Sequence, residues 1–207
     1  MSEAITPILK EIPEELVGER VLLRPYRPGD GAQLWEAVNE SRDHHLPWIP
    51  WGEGHKLPAH SEESARKMQV HWLLREDLPL GIWERATGSY LGGINLNRIN
   101  WNVPSLELGY WLRKSAEGHG YMTEAGKLVC SLSFETLGVH RIEVHVASGN
   151  HRSVAVPRRL GFIHEATLRQ SGRIITGELV DMMVFSMLQE DYKASRDHQN
   201  ENTKTAS

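Results

Sequence analysis

Residues 106–125 read LELGYWLRKSAEGHGYMTEA, a strand pattern that passes through a glycine loop into a helix pattern. Leu106, Leu108, Tyr110 and Leu112 share one face of a period-two strand, and Glu107, Gly109 and Trp111 share the other. Beyond the loop, Met122, Ala125, Leu128, Val129 and Leu132 recur at helical spacing until Gly138 supplies a C-terminal stop. Gly118 and Gly120 thus fall at a helix N-terminus. Backbone N–H groups there lack intrahelical partners and the helix dipole is positive, which suits a phosphate or pyrophosphate.

Two familiar phosphate motifs are excluded by the residues after Gly120. A P-loop needs Gly-Lys and then Ser or Thr, but Gly120 precedes Tyr121 and Met122. The dinucleotide fingerprint needs a third glycine where Thr123 stands, and its strand opens a βαβ unit instead of arriving halfway along the chain. Taken alone, Gly-x-Gly is more often a plain turn that joins a strand to a helix.

A second segment narrows the reading. Residues 141–147 alternate as a strand, and Ser148, Gly149 and Asn150 punctuate it before HRSVAVPRRLGF at 151–162. Asn150 is a natural N-cap and places Ser153 in the first helical turn. Pro157 lies too deep for a first-turn proline, so it deprives the Ser153 carbonyl of its helical partner and is expected to bend the helix.

The strand with its Glu117–Gly118–His119–Gly120 loop, together with Asn150 through Phe162, resembles the GNAT acetyltransferases, and most closely their RimJ/RimL-like branch, which acetylates ribosomal-protein N-termini. The resemblance spans residues 18–192. It implies an α/β fold with a mixed, mostly antiparallel central sheet, splayed central strands and helices on both faces. Residues 1–17 are then an N-terminal extension, 18–192 the acetyltransferase domain and 193–207 a polar, disordered tail.

Coarse periodicity agrees with that order. A strand at 20–25 leads to a helix at 32–39, and a Pro- and Trp-rich loop at 45–58 leads to a second helix from Ser61 through Arg75. Strands at 80–84 and 90–97 form a hairpin, and the last two strands, 163–169 and 180–187, pair antiparallel. At 207 residues and 40% hydrophobic the chain supports one core. A net charge of -4 argues against a protein whose main task is gripping nucleic acid, the single Cys130 excludes an internal disulfide, and no apolar run reaches membrane-spanning length. Cytoplasmic localisation, with neither membrane nor nucleic acid as partner, is the expectation.

The resemblance also implies site roles. Acetyl-coenzyme A, needing no metal, would rest its pyrophosphate on the amides of Glu117, Gly118, His119, Gly120, Tyr121, Met122 and Thr123. Its pantetheine arm would pair with the main chain of Tyr110, Trp111 and Leu112, as an added strand does. A strand N–H near Gly109 to Trp111 would hold the developing oxyanion, a donor whose loss costs about 3 to 4 kcal/mol in other enzymes. Glu107 is placed to deprotonate the acceptor amine, against the alternative of a carboxylate paired with an arginine. Asn150 would touch the pantetheine or serve only as a cap, Ser153 would protonate the leaving thiolate, and Arg158 would meet a coenzyme phosphate or solvent.

The chain departs from the family pattern at Ser115 and Glu117, where Gln or Arg is frequent, and shows no clear acid between its last two strands. An α-amine needs about 1.4 kcal/mol to shed its proton at pH 7, against about 4.6 for lysine, so a weakly equipped site suits N-terminal amines. The acceptor is therefore read as a ribosomal or other protein N-terminus, with a small amine, a polyamine or a peptide antibiotic as alternatives. A coenzyme A-binding sensor without turnover is another. Trp48 and Trp51 are candidates to line the acceptor, to anchor their loop on the core, or to form a homodimer interface. The eleven histidines show no metal-binding spacing, and Cys130 lies mid-helix with no adjacent base. Direct transfer in a ternary complex is the expected mechanism.

Overall fold

A computed structural model of the chain describes residues 6–45, 48 and 50–196. Strands β1 (Leu16–Val17), β2 (Val21–Pro25), β3 (Leu78–Glu84), β4 (Tyr90–Asn100), β5 (Ser105–Leu112), β6 (Arg141–Ala147), β7 (Ile163–Arg173) and β8 (Leu179–Leu188) form one sheet in the order β1-β2-β3-β4-β5-β6-β8-β7. The helices are α1 (Gly31–Glu40), α2 (Arg42–His45), α3 (Pro58–Leu74), α4 (Tyr121–Ser131), α5 (His151–Leu160) and α6 (189–196). This is the expected α/β architecture.

Alternation sorts the side chains into two layers. Leu106 and Leu108 of β5 join Met122, Ala125 and Val129 of α4 and Val154 and Val156 of α5 in one buried cluster. On the opposite face Leu34, Ala37 and Val38 of α1 and Ala65 of α3 pack with Tyr26, Trp83 and Tyr90. The Tyr26 and Tyr90 hydroxyls lie 2.7 Å apart, and their burial pushes both phenols up.

Several boundaries differ from the sequence reading for local reasons. Helix α3 starts three residues before Ser61, because Pro58 fits the first helical turn, where no N–H is needed. Residues assigned to the N-terminal extension supply β1 and the buried Ile12. The helix from Tyr121 ends in a π-turn, Leu132–Thr136, capped by Leu137, and Gly138 follows with φ 71°. Residues 193–196 of the polar tail continue α6, whose Tyr192 ring stacks on Phe134 at 4.9 Å; the rest lies outside the described residues.

Every neighbouring strand pair is antiparallel except β5 and β6. Their parallel pairing lasts three residues, Ser105 with Arg141, Leu106 with Ile142 and Glu107 with Glu143. Beyond it β5 runs on to Leu112 beside β4 and β6 to Ala147 beside β8, with no further register between β5 and β6 themselves, so the sheet forks. Arg113 N–H donates to the Leu91 carbonyl at 2.8 Å, and this register points the main-chain groups of Gly109 and Trp111 at β4. Those of Leu108, Tyr110 and Leu112 face the fork.

Candidate active site

The glycine loop sits at the head of α4, beside the fork. Gly118 and Gly120 are left-handed at φ 78° and 82°, the conformation for which glycine carries no Cβ penalty, and Gly120 caps the helix. Glu124, one turn in, accepts the N–H groups of Arg20 and Val21 and the Arg20 Nε, while Arg20 Nη1 donates to the His119 carbonyl at 2.8 Å. Burial opposes the charged Glu124, but these donors outweigh it and hold the carboxyl below its usual range. The loop is thereby pinned to the start of β2, with a guanidinium beneath it.

Two further arginines reach the loop from α5. Arg152 donates to the Glu117 carboxylate, with the His44 ring nitrogen 3.2 Å from the same group, and Arg159 Nε donates to Thr123 Oγ1 at 3.3 Å. Arg158 instead lies 6.0 Å from the Phe185 ring, toward β8. Met122 is buried and has only its main chain to offer the loop, and the Tyr121 hydroxyl donates to Glu84 at 2.6 Å. Guanidinium donors absent from the loop's own side chains are thus brought to it by Arg20, Arg152 and Arg159, the charges of the first two being offset by Glu124 and Glu117.

Across the fork, Asn150 Oδ1 caps α5 by accepting the Ser153 N–H at 3.1 Å. The Ser153 carbonyl, left without a helical donor by Pro157, accepts the Tyr110 hydroxyl from β5 at 2.8 Å. Burial pushes the Tyr110 phenol up to about 12, with the Ser153 hydroxyl pulling the other way, so it stays a donor. The Ser153 Oγ lies 3.4 Å from it. Two hydrogen bonds therefore tie β5 to the first turn of α5, the helix that follows β6, and fix Ser153 beside the fork.

A forked parallel pair with a helix N-terminus at its mouth fits a long, phosphate-headed thioester. The family model described as acetyltransferase (GNAT) domain matches residues 20–163. The chain belongs to the GNAT acetyltransferases. It is 27% identical over 183 residues to the Bacillus subtilis (strain 168) protein named as ribosomal N-acetyltransferase YdaF, covering 87% of this chain and 97% of that one. Among solved structures it resembles RimL, the ribosomal L7/L12 alpha-N-protein acetyltransferase in complex with coenzyme A, at TM-score 0.79 and 18% identity over 84% of this chain and 98% of RimL. The microcin C7 self-immunity acetyltransferase MccE, solved with acetyl-CoA and AMP, matches at TM-score 0.76 and 20% identity over 82% of this chain and 93% of MccE. The activity is acyl-coenzyme A-dependent acetyl transfer.

In this acetyltransferase the other face of the fork is polar and partly open. Glu107 accepts Arg98 Nη1 at 2.9 Å; Arg98 sits at φ 51° in the irregular turn end of β4, which aims it back over β5. Trp111 meets the Trp51 ring edge-on at 5.3 Å, and Trp48 stands where a Cβ on Gly149 would be 3.1 Å away. The loop carrying Trp48 and Trp51 therefore touches both arms, β5 directly and β6 through the turn at its end. Residues 46, 47 and 49 of that loop lie outside the described residues.

Arg141 anchors the outer arm. Its Nη atoms bind Glu165 of β7 at 3.0 and 2.6 Å, its Nε binds Glu143 at 2.7 Å, and Ser186 Oγ donates to Glu165 at 2.6 Å. Arg141, then Ser186, hold the Glu165 carboxyl at about 2, below its unfolded value of about 4.3. A depressed carboxyl stabilises the fold above the unfolded pKa and loses that contribution as pH falls through the folded one. Because Glu165 is 40% exposed, the contribution is no more than about 1 kcal/mol. Urea unfolding should show wild type losing stability faster than Glu165→Gln between about pH 4.5 and 2, and parallel curves would refute the pair as its source.

Proposed function

We propose that the enzyme acetylates the α-amine at the N-terminus of a protein or peptide, by direct attack on acetyl-coenzyme A with both substrates held at the fork. The observation that carries this reading is the tryptophan loop spanning both arms on the face opposite α4. An extended peptide end could lie there along Trp51 and Trp111 with its amine at the fork. The name of the YdaF relative, a ribosomal N-acetyltransferase, supports the same acceptor class.

The chain's own groups divide the roles. Amides of residues 117–123, with Arg20 and Arg152 behind them, would hold the pyrophosphate, and the fork-facing main chain of Tyr110 and Leu112 would pair with the pantetheine arm. Ser153 would pass a proton to the leaving thiolate. Cys130 is buried and its thiol is pushed up to about 12 by that burial, which supports direct transfer over a covalent acetyl carrier.

Thiol release measured against a panel of N-terminal peptides, lysine side-chain peptides and small amines tests the acceptor. Release at least about tenfold faster with α-amine peptides than with lysine ε-amines is expected, since deprotonation alone separates the two by about 3 kcal/mol. Tight binding of acetyl-coenzyme A with no acceptor raising release above hydrolysis would overturn the reading.

A further inference from the structure

His145 is the first side chain beyond the fork on the face that carries the tryptophan loop. Glu107 and Glu143 are the last pair to face each other across β5 and β6, and the next residue of this face is His145 on β6 and Gly109 on β5. Gly109 has no side chain, so the space opposite His145 is left for something else. Asn97 Nδ2, 3.0 Å from where a Gly109 Cβ would stand, borders it from β4.

The imidazole is held as a base would be. His145 Nε2 lies 2.9 Å from Glu143 Oε2, and a carboxylate can only accept, so Nε2 carries the hydrogen and, in the neutral ring, Nδ1 holds the lone pair. Glu143 is itself fixed by Arg141, and Arg141 by Glu165. Base, orienting carboxylate and anchoring cation form a chain of the kind that activates nucleophiles on unrelated folds. His145 remains 26% exposed, open to an incoming amine, whereas Glu107 already accepts Arg98.

We propose that His145 is the base that deprotonates the acceptor amine, with Glu143 as its positioning residue. This rests on the amine-acceptor reading of the fork. The ammonium proton passes to Nδ1, giving an imidazolium paired with Glu143. The freed nitrogen lone pair forms the C–N bond to the acetyl carbon, and the C–S bond breaks with its electron pair on sulfur. The second nitrogen proton reaches the thiolate by way of the Ser153 hydroxyl, and His145 returns its proton to water. The charged groups around the imidazole are Glu143 and Arg141 from β6, Glu107 and Arg98 from β5 and β4, and Glu165 from β7. Its β8 neighbour is the uncharged Val184.

His145→Ala tests the assignment. With the peptide on which wild type is fastest, kcat/KM for the acceptor should fall about 100-fold at pH 7, while the Kd of acetyl-coenzyme A changes less than about twofold. The acid limb of the pH–rate profile, between about pH 5 and 8, should flatten, and added imidazole should restore part of the rate. His145→Ala keeping its limb, a limb lost instead in Glu107→Gln, or a fall in rate matched by a fall in coenzyme affinity would overturn the role of His145 and leave the acceptor reading standing. Wild type that binds the coenzyme but releases no thiol to any amine would overturn both.

Discussion

Replacing Gly120 by valine should weaken acetyl-coenzyme A binding at least about 100-fold while leaving a folded protein. At φ 82° a β-branched residue is strained by about 1 to 3 kcal/mol, and its Cβ would stand 3.3 Å from Arg20 Nη2. The strain can be relieved only by turning the peptide planes at the head of α4, which redirects the N–H groups that would meet the pyrophosphate. Gly177→Val is the matched control. It carries the same kind of strain at φ 89° in the turn between β7 and β8, with open space around it. Both variants should lose similar stability in urea, and only Gly120→Val should lose coenzyme affinity by calorimetry. Equal Kd values in the two would remove the glycine loop from the binding site.

The features of this site that are local in sequence are the ones legible from it. Alternation in β5, the glycines heading α4 and the Asn150 cap each depend on residues within a few positions, and all stand where periodicity and capping rules put them. The missing phosphate-loop cations cannot be read that way. Arg20 and Arg152 arrive from 99 and 35 positions away, and no spacing rule links them to His119 or Glu117. His145 is lost among the other histidines for a similar reason. Alternation gives its side of β6, but only the register with β5 reveals that this side opens on the fork. Strand β1 is two residues long, too short to show any period.

Tyr110 and Pro157 make the second strong prediction, because each compensates for the other. Proline at 157 removes the donor that the Ser153 carbonyl would meet in an uninterrupted helix, and the Tyr110 hydroxyl supplies one from β5. Tyr110→Phe leaves that carbonyl unpaired in a part-buried place and should cost about 1 to 3 kcal/mol of stability. In a Pro157→Ala background the restored Ala N–H can take over, so the same Tyr110→Phe change should cost less than about 0.5 kcal/mol. The coupling between the two sites is then about 1 to 2 kcal/mol, well outside the additivity expected of independent positions. Pro157→Ala alone should be close to neutral. It gains helix propensity and a backbone hydrogen bond but loses buried ring carbons and unfolded-state rigidity. Its effect on turnover should be opposite in sense to any gain in stability. A helix with its donor to the Ser153 carbonyl restored no longer needs Tyr110 of β5, the tie from β5 to α5 relaxes, and the Ser153 hydroxyl leaves the place where the thiolate would form. Thiol release by Pro157→Ala should therefore be several-fold slower at unchanged or higher stability. If the double variant instead loses the sum of the single-variant stabilities, the Tyr110 hydrogen bond is not answering the proline, and the fork is held open by packing alone.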